Sequence, residues 1–106
     1  MIICVFDTET INADKTPFCY NVGYLIADTD TQEILLERDF VVEQHWHNLA
    51  LFATAYYAEK RKLYIDSMRA RKSTLDKWGY IRRTMAKDLR EYKVECAYAY
   101  NSSFDD

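Results

Sequence analysis

Met1-Ile2-Ile3-Cys4-Val5-Phe6, followed at once by Asp7-Thr8-Glu9-Thr10, is the stretch on which the fold turns. Six apolar residues without polar alternation, rich in β-branched and aromatic types, predict a strand buried on both faces and so central in a sheet. Side chains two positions apart in an extended chain project to one side. Asp7 and Glu9 therefore share a face, about 7 Å apart along the strand, at its carboxyl end. Two like charges beside a core need neutralising. A hard divalent cation with oxygen ligands, bound beyond the carboxyl ends of the strands of an open α/β sheet, is one solution. A solvated turn is the other, and for an isolated Asp-x-Glu it is the commoner one.

Working outward, Pro17 opens a Tyr-, Val- and Ile-rich run from Phe18 to Ala27, in which Gly23 marks a bulge or a close backbone approach. Asp28-Thr29-Asp30-Thr31-Gln32 supplies a turn, and Glu33 to Val42 partly alternates apolar with charged residues. Three strands on short turns predict an antiparallel meander. After Val42 the period changes: Leu49, Phe52, Ala53, Tyr56, Leu63, Tyr64 and Met68 recur at helical spacing, predicting a helix to about residue 71. A second helix follows, capped by Ser73 or Thr74, with Trp78, Ile81, Met85, Leu89 and Tyr92 on one face. Val94 to Tyr100 returns to strand character, and the helical crossover before it predicts a strand parallel to its neighbour. The fold class is α/β: a meander, helices, then a parallel fourth strand.

The 106 residues, 49% hydrophobic and 29% charged, make one domain over 1–106 and exclude both a disordered chain and a second core. The longest apolar run is far short of the roughly 20 residues that span a bilayer, and no basic residue precedes it. The expected location is the cytoplasm, with no membrane partner. Cys4, Cys19 and Cys96 are odd in number and read as free thiols in a reducing compartment. The net charge of −3 divides unevenly, at −7 for residues 1–58, +7 for 59–93 and −3 for 94–106. The basic block, with Lys60, Arg61, Lys62, Arg69, Arg71 and Lys72 on one helix and Arg83, Lys87 and Arg90 on the next, is either a solvated face or a contact for a polyanion. Tyr56, Tyr57 and Tyr64 are core residues at helical spacing or platforms for stacked bases. His45 and His47 flank Trp46, but His-x-His without further ligands is seldom a metal site, and surface histidines beside a packed Trp46 are expected.

A second cluster, Tyr100-Asn101-Ser102-Ser103-Phe104-Asp105-Asp106, follows the last strand. Read alone, Asn101 is an ordinary helix cap with acids favouring the helix N-terminus. If the last strand lies beside the first, Asp105 instead emerges at the same sheet edge as Asp7 and Glu9.

Phe-Asp-Thr-Glu-Thr ending an N-terminal strand, then strand, strand, helices, strand and Asn-x-x-Phe-Asp, resembles the DEDD exonuclease superfamily. The resemblance covers the first two of that family's three motifs and implies a ribonuclease H-like fold. It places Asp7 and Glu9 as the acids of the first motif and Asp105 as that of the second, all three catalytic and metal-binding, with two Mg²⁺ or Mn²⁺ ions as cofactors. It also places Thr8, Thr10, Asn101 and Phe104 beside the substrate. The implied activity is hydrolysis at a nucleic-acid 3′ end, with single-stranded DNA the first candidate substrate and a polymerase or other replication protein a candidate partner. The third motif, with a last metal-binding Asp and a His or Tyr that activates water, does not occur before the sequence stops at Asp106. The family's C-terminal helices and strand are missing with it, so the chain reads as the N-terminal part of a longer exonuclease, inactive or weak alone. A non-catalytic nucleic-acid-binding module of the same fold is the alternative, and a dimerising interaction module a third.

Overall fold

The computed structural model describes residues 1–13, 16–46 and 55–99, without the side chains of residues 10–13, 16–18, 45 and 55–60. The elements run β1 (Ile2–Ala13), β2 (Thr16–Asp28), β3 (Glu33–Val42), α1 (Glu43–Trp46), α2 (Ala55–Arg69), β4 (Thr74–Asp76), α3 (Trp78–Glu91) and β5 (Cys96–Ala99). They form an α/β domain on one mixed sheet of order β4-β3-β2-β1-β5. β1, β2 and β3 are the expected antiparallel meander, and β5 lies parallel to β1, with Ile3 opposite Cys96 and Phe6 opposite Ala99. Among the described residues no helix is long and apolar enough to cross a membrane.

Three expectations are corrected. β1 does not stop at Phe6 but continues to Ala13, because β2 pairs with it along its whole length. Asp7 and Glu9 are therefore in mid-strand. Residues 74–76 form a strand parallel to β3, not a helix cap, and α3 starts after Lys77 with no side-chain cap. Gln44 does that work from elsewhere, its Oε1 accepting the Trp78 amide at 3.0 Å. The helix expected to run to about residue 71 does end there, at Arg69, but its predicted apolar residue Leu63 is 63% exposed. Leu49, Phe52 and Ala53 lie outside the described residues.

The two faces of the sheet are covered differently. Ile2, Cys4 and Phe6 of β1, with Val22, Tyr24, Ile26, Phe40 and Val42, meet Ile81, Met85 and Leu89 of α3 in the larger core. Ile81 is fully enclosed there, which contributes about 2 kcal/mol. α3 is also tied by charge. The buried Asp88 carboxylate accepts the Tyr24 hydroxyl at 2.6 Å and takes both Nε and Nη2 of Arg38, at 2.5 and 3.1 Å.

On the other face a smaller core of Tyr20, Val41 and Trp46 meets Tyr64, Ile65 and Met68 of α2 and Leu75 of β4. Tyr20 reaches it through a bulge: Glu9 pairs with Asn21 and Thr10 with Cys19, leaving Tyr20 as the extra residue, turned toward α2. Trp46 packs as expected, edge-on to Tyr64 at 6.3 Å, with the Arg61 guanidinium 4.3 Å above its ring. Arg61 is thereby a structural residue. Cys4, Cys19 and Cys96 are free thiols, and burial raises the pKa of the Cys4 thiol.

Candidate functional site

The face that α2 only partly covers is where the carboxylates gather. Strand alternation puts Asp7 and Glu9 on this side and Thr8 on the α3 side, so Thr8 can offer a ligand here only its main chain. Across the sheet, Asp7 pairs with Gly23 and Gly23 with Asp39, a single row running through β1, β2 and β3. The next row is Val5, Leu25 and Glu37. Together these rows floor a cleft of about 670 Å³, with Arg71 and Lys72 from the turn after α2 along its side.

Position 23 is tight. A Cβ there would stand 3.0 Å from Asp39 Oδ1, closer than nine in ten such contacts, so the carboxylate would have to give by a few tenths of an ångström. Without it the floor between Asp7 and Asp39 stays open. The expected close approach at Gly23 is thus present, while the bulges fall nearby at Tyr20 and near Ala27.

Asp39 has a donor at each oxygen. Its Oδ1 accepts Asn21 Nδ2 at 3.0 Å, and its Oδ2 accepts the Ser73 hydroxyl, which in turn lies 2.6 Å from Ser67 Oγ. Asn21 Nδ2 is shared with the Phe40 carbonyl at 2.9 Å. This chain fastens the end of α2 to β3. Asp7 is different: its Oδ1 is buried and has no hydrogen-bond partner among the described residues. An unmatched buried carboxylate oxygen costs on the order of 1–3 kcal/mol or more, so it marks a place where a donor or cation would be gained. Glu9 lies one row further, toward α2, close enough that its charge, after burial and Tyr20, helps raise the pKa of the Tyr64 hydroxyl.

Arg71 and Lys72 are fixed by main-chain geometry. Arg71 has φ +60°, and the amides of Arg71 and Lys72 donate back to Met68 and Ser67 carbonyls at 3.0 and 2.9 Å, the Schellman pattern of a helix end. Ser73, next in the chain, is the residue held by Asp39. Neither basic side chain forms an ion pair or hydrogen bond among the described residues.

β5 ends at Ala99 in register with Phe6, one residue before the level of Asp7, on the strand beside β1. The adjacency of first and last strands that the three-acid proposal needs is present. Asn101, Phe104 and Asp105 lie outside the described residues, as does the side chain of Thr10. Among the described residues no three His, Cys, Asp or Glu side chains are grouped to hold a metal ion. His45 contributes only backbone to the description, and His47 lies outside it.

Sequence reasoning missed Asp39, Ser73 and the cleft position of Arg71 and Lys72. The available signal was Gly23, a glycine inside a strand, which points to something close at hand on a neighbouring strand. Set against protein-family models, curated proteins and solved structures, the chain has no match.

Proposed function

We propose that this chain carries the first part of a metal-dependent 3′–5′ exonuclease site of the DEDD type, on a ribonuclease H-like sheet. The observation that carries the reading is Asp7: a buried carboxylate oxygen with no partner among the described residues, on a central strand, beside a cleft at the level where the parallel neighbour ends. Glu9 projects from the same face. The order β3-β2-β1-β5, with β5 parallel to β1, agrees with the topology the resemblance implies.

The two acids suit a hard divalent ion, Mg²⁺ or Mn²⁺, with Asp105 as the further ligand after β5. Such ions, when bound, supply a hydroxide nucleophile and charge neutralisation on the attacking and leaving oxygens of a phosphodiester. The chain's own part is to hold Asp7 on β1 against β2, one residue beyond the last pair with β5, and to present main chain of residues 8–10, with Asn101 and Phe104, to the terminal nucleotide. Thermal melting tests this. Mn²⁺ or Mg²⁺ is expected to raise the melting temperature of the wild type and not of Asp7→Ala, and identical ion titrations of the two proteins would remove the reading.

A nucleic-acid-binding module without catalysis is the second reading, favoured by Arg71 and Lys72, two cations at the cleft with no ion pair among the described residues. It predicts binding of single-stranded oligonucleotide that persists in EDTA with no metal-dependent cleavage by the full chain.

A further inference from the structure

The basic block of the sequence is divided by the fold into two groups that face opposite ways. α3 lies on one face of the sheet, with Ile81, Met85 and Leu89 turned into the core and Arg83 and Arg90 exposed on its outer side. The cleft over Asp7, Gly23 and Asp39 is on the other face. The sheet and the width of a helix, about 10 Å, stand between the α3 stripe and anything bound in that cleft. Arg71 and Lys72, by contrast, line it.

From this placement we infer that Arg71 and Lys72 are the phosphate-gripping pair of the cleft, contacting the backbone of a single-stranded nucleic acid whose end lies over Asp7, and that the α3 stripe takes no part. The inference rests on the exonuclease reading for the direction of the strand and adds the residues that hold it.

Three observations converge on this pair. Both side chains are exposed and have no anionic partner among the described residues, although Glu37 and Asp39 line the same cleft. Asp39, which lines the same cleft, is held by the neutral donors Asn21 and Ser73 and not by Arg71 or Lys72. The turn that carries them is held at three points: by the two Schellman bonds, by Ser73 on Asp39, and by Ser67 on Ser73. A cation on a fixed turn loses less freedom on meeting a phosphate than one on a free loop, and that favours binding. The floor of the cleft is acidic, so the phosphates lie toward the Arg71 and Lys72 side and the strand end toward Asp7.

The test is fluorescence anisotropy of a 5′-labelled single-stranded oligonucleotide with the full chain in EDTA, where nothing is cut, over a salt series. The cleft variant is Arg71→Gly with Lys72→Gln, since glycine suits φ +60° and protects the fold. The control is Arg83→Gln with Arg90→Gln. The cleft variant is expected to weaken binding about tenfold and to flatten the slope of log K against log salt by about 1.4, two contacts at roughly 0.7 each. The control is expected to stay within about twofold of the wild type. Equal losses in both variants, or a loss confined to the control, would overturn the assignment. So would a wild type that binds no oligonucleotide, or inorganic phosphate competing as well as a strand of equal phosphate content, since the pair would then recognise a lone phosphate group. The Asp7-dependent metal shift is measured on the same preparations. A shift without an Arg71 and Lys72 effect rejects the grip and keeps the exonuclease reading; a grip without the shift does the reverse.

Discussion

Asp7 and Asp39 occupy one cross-strand row on either side of Gly23, yet they have opposite surroundings: Asp39 accepts hydrogen bonds at both oxygens, and Asp7 Oδ1 accepts none among the described residues. Two like acids thereby divide the work. One fastens the sheet to the turn after α2, and the other is the acid on which the proposed metal site rests.

That division predicts opposite effects on stability. Asp39→Ala is expected to cost about 2 kcal/mol, since hydrogen bonds to a charged group are worth roughly 1.5–3 kcal/mol. In a domain of this size that lowers the melting temperature by roughly 10 °C. Asp7→Ala removes a buried oxygen that has no partner among the described residues, and is expected to leave the metal-free melting temperature unchanged or higher. Calorimetry of the two variants side by side checks the pair, and a drop confined to Asp7→Ala would reverse the roles.

Gly23→Ala should destabilise. The added methyl group meets Asp39 Oδ1 at 3.0 Å, and that carboxylate cannot swing aside without leaving Asn21 or Ser73. Overpacking of this kind costs about 1–3 kcal/mol, more than the 0.4–1 kcal/mol an alanine returns by restricting the unfolded chain. A urea midpoint at or above the wild-type value would contradict the tight floor.

Asp88 makes stability depend on acid pH. Burial disfavours its charged form, but the hydrogen bonds from Arg38 and Tyr24 outweigh burial and hold its pKa below the ordinary 3.8. Below both pKa values the folded and unfolded carboxyls are equally protonated and the advantage is gone. It is therefore complete above about pH 4–5, and is lost as the pH falls through the folded value. Urea midpoints taken from pH 6 to pH 2.5 should fall in the wild type and more shallowly in Asp88→Asn. At pH 7, Asp88→Ala is expected to cost about 3 kcal/mol, the low end for a broken buried pair, because Arg38 is 37% exposed and water can recover its charge.

Lys93 repeats at the end of α3 the left-handed position that Arg71 holds after α2, with φ +52° and amides of Lys93 and Val94 donating to Arg90 and Leu89 carbonyls at 3.2 and 3.1 Å. Glycine is the residue best suited to that position. Lys93→Gly, remote from the cleft, is expected to add about 0.5–1 kcal/mol and raise the melting temperature by a few degrees without altering oligonucleotide binding.

Much of the sheet can be read along the chain because its strands announce themselves locally. Met1 to Phe6 is a continuous apolar run, Thr29 to Gln32 is a plain turn, and the helical period of Ile81, Met85 and Leu89 forces a crossover that makes β5 parallel to β1. The extension of β1 past Phe6 is not local: Thr8 and Thr10 read as a turn until β2 supplies their partners across the Tyr20 bulge. β4 is three residues long, too short for any period, and exists because the end of α2 delivers Leu75 alongside Val41. The acids at 7 and 9 are visible as candidates from spacing alone. Asp39 is hidden for the opposite reason, since a charged residue in an alternating strand reads as solvent-facing, and its partners Asn21 and Ser73 stand 18 and 34 positions away.

The sheet core closes late in the order of synthesis. β1 to β3 need only the first 42 residues, and hairpins form within about 10 µs, but the α3 helix that roofs Tyr24, Ile26 and Phe40 spans residues 78–91. At translation speeds of about 5–20 residues per second, a newly made meander waits several seconds on the ribosome with its oily side bare.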